Sequence, residues 1–153
     1  MNTDELKKGS IAWSDDMLLG YTPMDKVHEE FVDCVAAVQT ASEDQLLIQV
    51  TRLQQHLQAH FDEENNWMEQ NNYPAKECHI NEHAAVQKSV TEVLEEIAQG
   101  KFANVRRLAD ELANWFPGHA TYLDSALAHW MCKISLGGKP VVLRRKITQS
   151  STV

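Results

Sequence analysis

The sequence predicts an all-α fold, an up-down-up-down four-helix bundle with an extended N-terminal arm. Apolar residues recur at alternating steps of four and three in four separate segments, which is the period of a helix and not of a strand. The connections between these segments are short, so neighbouring helices should run antiparallel. Residues 11–21 lack a helical period, and we expect them to lie as an ordered arm across the bundle.

The first two predicted helices follow residues 24–38 and 46–67. Thr22 is the expected N-cap of the first helix, because its side chain can accept a hydrogen bond from the first turn. Ser42 and Gln45 have the spacing of a capping box before the second helix.

The third predicted helix follows residues 79–97 and ends at Gly100, a residue typical of helix C-termini. The fourth follows residues 102–134 and contains Pro117-Gly118. Because proline removes a backbone donor and clashes with the preceding turn, we expect a kink or a break there.

The chain changes character after residue 136. Gly137-Gly138 should end the last helix, and the residues that follow are basic, with no acidic residue after Asp124. We therefore predict a bundle domain over residues 1–136 and a basic flexible tail or linker over residues 137–153.

Composition excludes several classes of function. The chain has 153 residues and a formal net charge of −8, which argues against a nucleic-acid surface. No stretch approaches the ~20 apolar residues that span a bilayer, so membrane insertion is not expected. Cys34, Cys78 and Cys132 form no CxxC pair, and free thiols in a reducing cytoplasm are the expectation.

Polar residues occupy positions of the apolar stripes, and this is the strongest functional signal in the sequence. Burying an imidazole or a carboxylate without a partner costs several kcal/mol, so a group of them at one height needs a common partner. Metal ions bind both neutral imidazole and carboxylate. The stripe residues concerned are His28, His60, Glu64, His79 and His83.

The spacing of these residues supports a metal site. His60 and Glu64 are four apart, as are His79 and His83, so each pair projects from one face of its helix. A further pair, five residues apart, would splay by about 140° on an ideal helix and requires a local distortion or a ligand set spread around two metals. That pair is His119 and Asp124.

These motifs resemble those of the hemerythrin family, in its bacterial branch. Residues 60–64 read HFDEE and are followed by a methionine at position 68, Tyr73-Pro74, and an HxxxH motif at 79–83. Upstream, a tryptophan at position 13 and a histidine at position 28 also match, and downstream residues 115–124 match WxxxHxxxxD. The resemblance covers roughly residues 11–135.

The resemblance implies a cofactor and a ligand. Two iron ions would share an oxo or hydroxo bridge and the carboxylates of Glu64 and Asp124. One iron would take three histidines, whereas the other would take two and keep an open position for dioxygen or small anions such as azide. The family pattern assigns the first iron to His79, His83 and His119, and the second to His28 and His60. The expected pocket residues are Phe31, Phe61, Val86, Trp115, Phe116 and Ala120.

Two residues depart from the family pattern. Val86 stands where the family usually has phenylalanine, and Ala120 where it usually has isoleucine. Both changes remove volume near the metals, so we expect a roomier or wetter pocket and faster autoxidation than in a dedicated carrier.

Other polar residues have ordinary interpretations. His56 lies one position off the apolar stripe and His129 outside the motif, so neither is expected to bind metal. Asp62, Glu63 and Glu82 are interpreted as solvated charges.

The predicted function is therefore dioxygen binding by a protein that is not an enzyme. The alternatives are an oxygen- or redox-sensing input domain of a larger signalling protein, such as a diguanylate cyclase or chemotaxis receptor, and an enzyme or iron store. The histidine-rich ligand set argues against ferritin-like oxidase chemistry, which uses more carboxylates.

Overall fold

The computed structural model describes residues 11–144, and these fold into four helical rods. Helix α1 spans Thr22–Thr40, α2 spans Leu46–Gln70 and α3 spans Lys76–Ala98. The fourth rod consists of α4, Val105–His119, a π turn, Ala120–Asp124, and α5, Ser125–Leu136. No strand occurs between residues 11 and 144, and none of the helices described there is long and apolar enough to cross a membrane. The predicted four-helix bundle with an N-terminal arm is confirmed.

The start of α1 differs from the prediction. Thr22 is the first helical residue and not the cap, and the carbonyl of Tyr21 accepts the N–H groups of Met24 and Asp25, each at 3.0 Å. The Asp25 carboxylate accepts hydrogen bonds from the backbone N–H of Leu19 at 2.7 Å and of residue 20 at 3.0 Å. This carboxylate therefore ties the arm to the first turn of α1.

The predicted capping box before α2 is wrong. Ser42 precedes a short 3-10 turn, Glu43–Gln45, and its hydroxyl bonds the Asp44 carboxylate at 2.6 Å instead of a backbone N–H. The predicted stop of α3 is confirmed. Gly100 has a φ of +77°. The N–H of Lys101 donates to the carbonyl of Glu96 at 2.9 Å, and this is the hydrogen bond of a Schellman motif that spans more residues.

The fourth rod is not broken at Pro117, and its distortion lies after this residue. Helix α4 continues through Pro117 and Gly118, and the irregularity follows them as the π turn. Within it the N–H of Ser125 donates to the carbonyl of Ala120, five residues back. The chain thus accommodates one extra residue in a wider turn, and a break at Pro117-Gly118 is excluded.

The buried interior has an apolar cluster on each side of a polar layer. The larger cluster includes Phe31, Phe61 and Phe116, and the smaller includes Met24 and Leu127. Along α1, α2 and the fourth rod the buried polar residues lie between members of the two clusters, and along α3 they lie between Tyr73, just before the helix, and Val86. Each helix therefore places its polar residues at one level of the bundle, with apolar packing above and below.

The described part of the predicted tail lies against the arm. Gly137, with a φ of +67°, ends α5 as expected. A Cβ on Gly20 would lie 2.8 Å from the Pro140 side chain, and Arg144 pairs with Asp16 at 3.7 Å. Residues 145–153 of the predicted tail and residues 1–10 lie outside the described residues.

Candidate metal centre

All seven predicted ligands are buried, and they converge from all four rods. Their donor atoms form two groups, and within each group the atoms lie within 4.8 Å of one another. The first group is His79, His83, His119 and Asp124, and the second is His28, His60 and Glu64. Each helix supplies its ligands from the stripe that faces the bundle axis.

Three histidines of the first group point their Nε2 atoms at one another. The Nε2 of His119 lies 3.2 Å from that of His79 and 3.3 Å from that of His83. Adjacent nitrogen ligands of an octahedral ion, each about 2.1 Å from it, would be about 3.0 Å apart. His119 therefore lies from each of the other two histidines at about the spacing of adjacent ligands of one ion.

The Asp124 carboxylate faces both groups. Its Oδ1 lies 3.0 Å from the Nε2 of His79 and 3.1 Å from that of His119, whereas its Oδ2 lies 3.0 Å from the Nε2 of His28. One oxygen thus belongs to each group, which is the disposition of a bridging carboxylate.

Glu64 has the same disposition from the opposite rod. Its Oε2 lies 2.6 Å from the Nε2 of His60, and its Oε1 lies 3.8 Å from the Nε2 of His79. Because His60 and His79 belong to different groups, a second carboxylate also spans the two.

The donor atoms fit metal ions better than they fit one another. Both ring nitrogens of His28 and His60, and both oxygens of Glu64 and Asp124, are buried without a hydrogen-bond partner among the described residues. They approach other donors closely, but without hydrogen-bond geometry. Since an unsatisfied buried polar atom is costly, a cation is a suitable shared partner for the set.

Burial lowers the pKa of two site histidines, His60 and His83, which favours the neutral imidazole that binds metal. Burial, more than the neighbouring histidines, lowers the pKa of His83 to about 2. Burial and the adjacent Asp124 carboxylate raise the pKa of Glu64 well above its usual value. Burial acts to raise the pKa of Asp124, but the facing nitrogens of His119 and His28 outweigh it and hold that pKa well below its usual range. His119 differs from His83: burial acts to lower its pKa, but the Asp124 and Glu82 carboxylates outweigh burial and raise that pKa.

Two residues that support the ligands were missed or misread from the sequence. Glu82, predicted as a solvated charge, accepts hydrogen bonds from the Nδ1 of His119 at 2.8 Å and the Nε1 of Trp115 at 2.7 Å. Asn65, not predicted at all, lies 2.9 Å from the Nδ1 of His83 through its Oδ1. Such partners fix the orientation of metal-bound histidines, and their sequence signal is only a polar residue next to a ligand.

An apolar cavity adjoins the ligands. It is partly open and is too narrow to admit a water molecule. Its lining is Phe31, Leu57, His60, Phe61, Trp115, Phe116, His119 and Asp124. Four of the six expected pocket residues lie on it, and Leu57 was missed.

Val86 and Ala120 are buried but do not line this cavity. The expectation of a roomier or wetter pocket was based on these two residues, which lie away from the cavity, and the faster autoxidation stays a prediction. The volume next to the ligands is set by aromatic side chains that come from α1, α2 and α4.

The histidines expected not to bind metal lie outside both groups. His56 is half-buried, with its Nε2 3.2 Å from the carbonyl of Val27, and His129 is exposed. Asp62 and Glu63 are exposed, as predicted. Cys34 and Cys132 are buried and Cys78 is exposed, and all three are free thiols.

Comparison with known proteins agrees with this geometry. The family model of the hemerythrin HHE cation binding domain matches residues 19–130. The chain is 36% identical over 123 residues to a protein named bacteriohemerythrin from Ralstonia nicotianae, an alignment that covers 80% of this chain and 90% of the relative. No solved structure gives a significant match. The chain therefore belongs to the hemerythrin family.

Proposed function

We propose that this protein holds two iron ions and binds dioxygen reversibly, as a non-haem oxygen-binding protein and not as an enzyme. The observation that carries the proposal is the position of the two carboxylates. Glu64 and Asp124 each direct one oxygen to each histidine group, so a single ion would leave half of every carboxylate unused. Two ions, one at each histidine group, would use all four oxygens.

The two ions would differ in their number of protein ligands. His79, His83 and His119 form one group, whereas only His28 and His60 contribute imidazole to the other. The second ion therefore has fewer protein ligands and an open position. Iron with such an open position supplies the electrons that bind dioxygen, and imidazole with carboxylate is a suitable ligand set for it. The name of the Ralstonia relative supports iron as the metal.

The cavity would select the ligand by size and polarity. His60, a ligand of the second group, contributes to its wall together with Phe31, Leu57 and Phe116. Apolar walls and the lack of room for water favour a small uncharged molecule and disfavour solvent beside the open position. Dioxygen meets the condition of polarity, whereas a compact anion such as azide would pay a cost in desolvation. Because the cavity is too narrow even for water, either molecule would enter only when the lining side chains move.

The proposed location is the cytoplasm. The three cysteines are unpaired in the structure, and two of them are buried. Free thiols are typical of proteins kept in a reducing compartment.

The test is the optical spectrum of the iron-loaded protein through cycles of air and argon. The proposal predicts a visible band that appears in air, disappears after oxygen is removed, and returns with air over several cycles. A band that forms once and never reverses would contradict reversible binding. Loss of the oxygen-dependent band in His60→Ala, with His129→Ala unchanged, would link the band to this site.

A further inference from the structure

One carboxylate oxygen of Glu82, on α3, accepts hydrogen bonds from two side chains of the fourth rod. Its Oε1 lies 2.8 Å from the Nδ1 of His119 and 2.7 Å from the Nε1 of Trp115. The side chain is 35% exposed, so the carboxylate lies at the edge of the buried site and is held there by two donors.

The chemistry of these groups fixes the proton on His119. A carboxylate only accepts and an indole only donates, so the Nδ1 of His119 must carry the hydrogen of this bond. Its Nε2 then has a free lone pair directed at the metal group. The Trp115 ring also packs on the His119 ring, with centroids 4.3 Å apart and planes inclined by 32°. Glu82 and Trp115, which are not among the predicted metal ligands, therefore determine both the tautomer and the ring orientation of His119.

The other two histidines of the triad have weaker support. The Nδ1 of His83 faces the neutral amide oxygen of Asn65 at 2.9 Å, and the Nδ1 of His79 is buried without a hydrogen-bond partner in the described structure. Only His119 donates to a carboxylate. Such a charge-assisted bond is shorter and stronger than a neutral one, and it makes the ring a stronger electron donor.

We propose that Glu82 is a positioning residue that makes His119 the strongest donor of the triad and thereby lowers the reduction potential of the iron held there. The N–H of Trp115 donates to the same Glu82 oxygen as His119. This second hydrogen bond holds the carboxylate in place beside His119. This inference rests on the proposed iron centre and extends it to residues that do not touch the metal.

The experiment compares Glu82→Gln and Glu82→Ala with Glu92→Gln, an exposed matched control on the same helix. In cobalt(II) titrations of the apo-protein, Glu82→Ala should lose about 10- to 100-fold in affinity, and Glu82→Gln less, because its amide still accepts one hydrogen bond. The midpoint potential of the iron-loaded protein should become more positive in both. Trp115→Phe, which keeps a stacked ring but no N–H, should shift the potential in the same direction by a smaller amount.

Unchanged cobalt affinity and potential in Glu82→Ala would overturn the inference. A loss of apo-protein thermal stability with no shift in potential would also overturn it, because that result describes packing alone. If the wild type fails to hold iron, the proposed function fails, whereas the cobalt titration still decides whether Glu82 supports His119.

Discussion

His119 and Asp124 are five residues apart in sequence, yet the Nε2 of His119 lies 3.1 Å from the Oδ1 of Asp124. A regular α-helix would direct side chains at this spacing about 140° apart. The π turn, Ala120–Asp124, places one more residue in the turn and brings the two donors to the same face. The distortion therefore has a function in the site, consistent with the frequent occurrence of π turns at functional sites.

Replacing the bridging carboxylate should remove the two-metal character of the site. Asp124→Asn keeps the side-chain volume but supplies a neutral amide, which is a poor bridge between two cations. We expect iron content, measured by elemental analysis after anaerobic loading, to fall from two ions per chain to one or none. Asp62→Asn, the same change at an exposed position of α2, should keep the wild-type content. Full iron content in Asp124→Asn would contradict the bridging role.

The metal-free protein should lose stability in acid because of His83. The pKa of this group is about 2 in the folded protein and 6.5 as its ordinary value, so below pH 6.5 the unfolded chain binds a proton that the folded chain does not. Its contribution to stability is complete above pH 6.5 and falls by about 1.4 kcal/mol per pH unit below it.

Urea unfolding of apo-protein measures this dependence. Between about pH 6.5 and about pH 5, wild type should lose about 2 kcal/mol more than His83→Gln, which has no imidazole to titrate. His129→Gln removes an exposed histidine and should follow the wild-type curve. Parallel curves for wild type and His83→Gln would show that burial of this imidazole does not control the acid sensitivity.

Enlarging the cavity should shorten the life of the oxygen-bound protein. Leu57 is 1% exposed and lines the cavity, whereas Leu53 is 0% exposed and does not. Both Leu57→Ala and Leu53→Ala should cost about 2–5 kcal/mol of stability, measured by denaturant unfolding. Only Leu57→Ala should also oxidise faster, because water gains access beside the ligands. Equal oxidation rates in the two variants would mean that the cavity does not protect the site.

Substitution of Gly20 tests the contact between arm and tail, and substitution of Gly118 in α4 serves as a comparison. Gly20 has a φ of +87°, and an added Cβ would lie 2.8 Å from the Pro140 side chain, so Gly20→Ala should destabilise the protein by about 1–2 kcal/mol. Gly118 is helical and has no neighbour within 4 Å of an added Cβ, so Gly118→Ala should stabilise it by about 0.5–1 kcal/mol. Thermal unfolding measures both. Effects of the same sign would contradict the backbone assignment of at least one glycine.

Five of the seven predicted ligands could be recognised from sequence because each is a polar residue where the helical period requires an apolar one. His28 and Glu64 are examples, and burial of 0% and 1% confirms that the period was correctly interpreted. The spacing of His119 and Asp124 also required a distortion. A break at Pro117-Gly118, one of the two outcomes expected there, is wrong, because sequence alone does not show where the hydrogen-bond ladder rearranges.

The supporting residues could not be predicted because their partners come from another helix. Glu82 adjoins the buried His83 and, by period, should face solvent. Its carboxylate is held by Trp115 and His119, which are 33 and 37 residues away in sequence. Ser42 illustrates the same limit locally, since its hydroxyl bonds a side chain where the motif predicts a backbone N–H. Choices between partners of similar energy depend on tertiary packing, which the helical period does not describe.

The most direct test of a two-iron, oxygen-binding centre is the stoichiometry of oxygen uptake. Apo-protein loaded anaerobically with iron(II) and freed of excess metal would be titrated with dissolved oxygen while the remaining oxygen is measured with an electrode. We predict two irons per chain and one dioxygen taken up for each pair, released again under argon. A single iron per chain, or oxygen that is consumed and never recovered, would contradict the account.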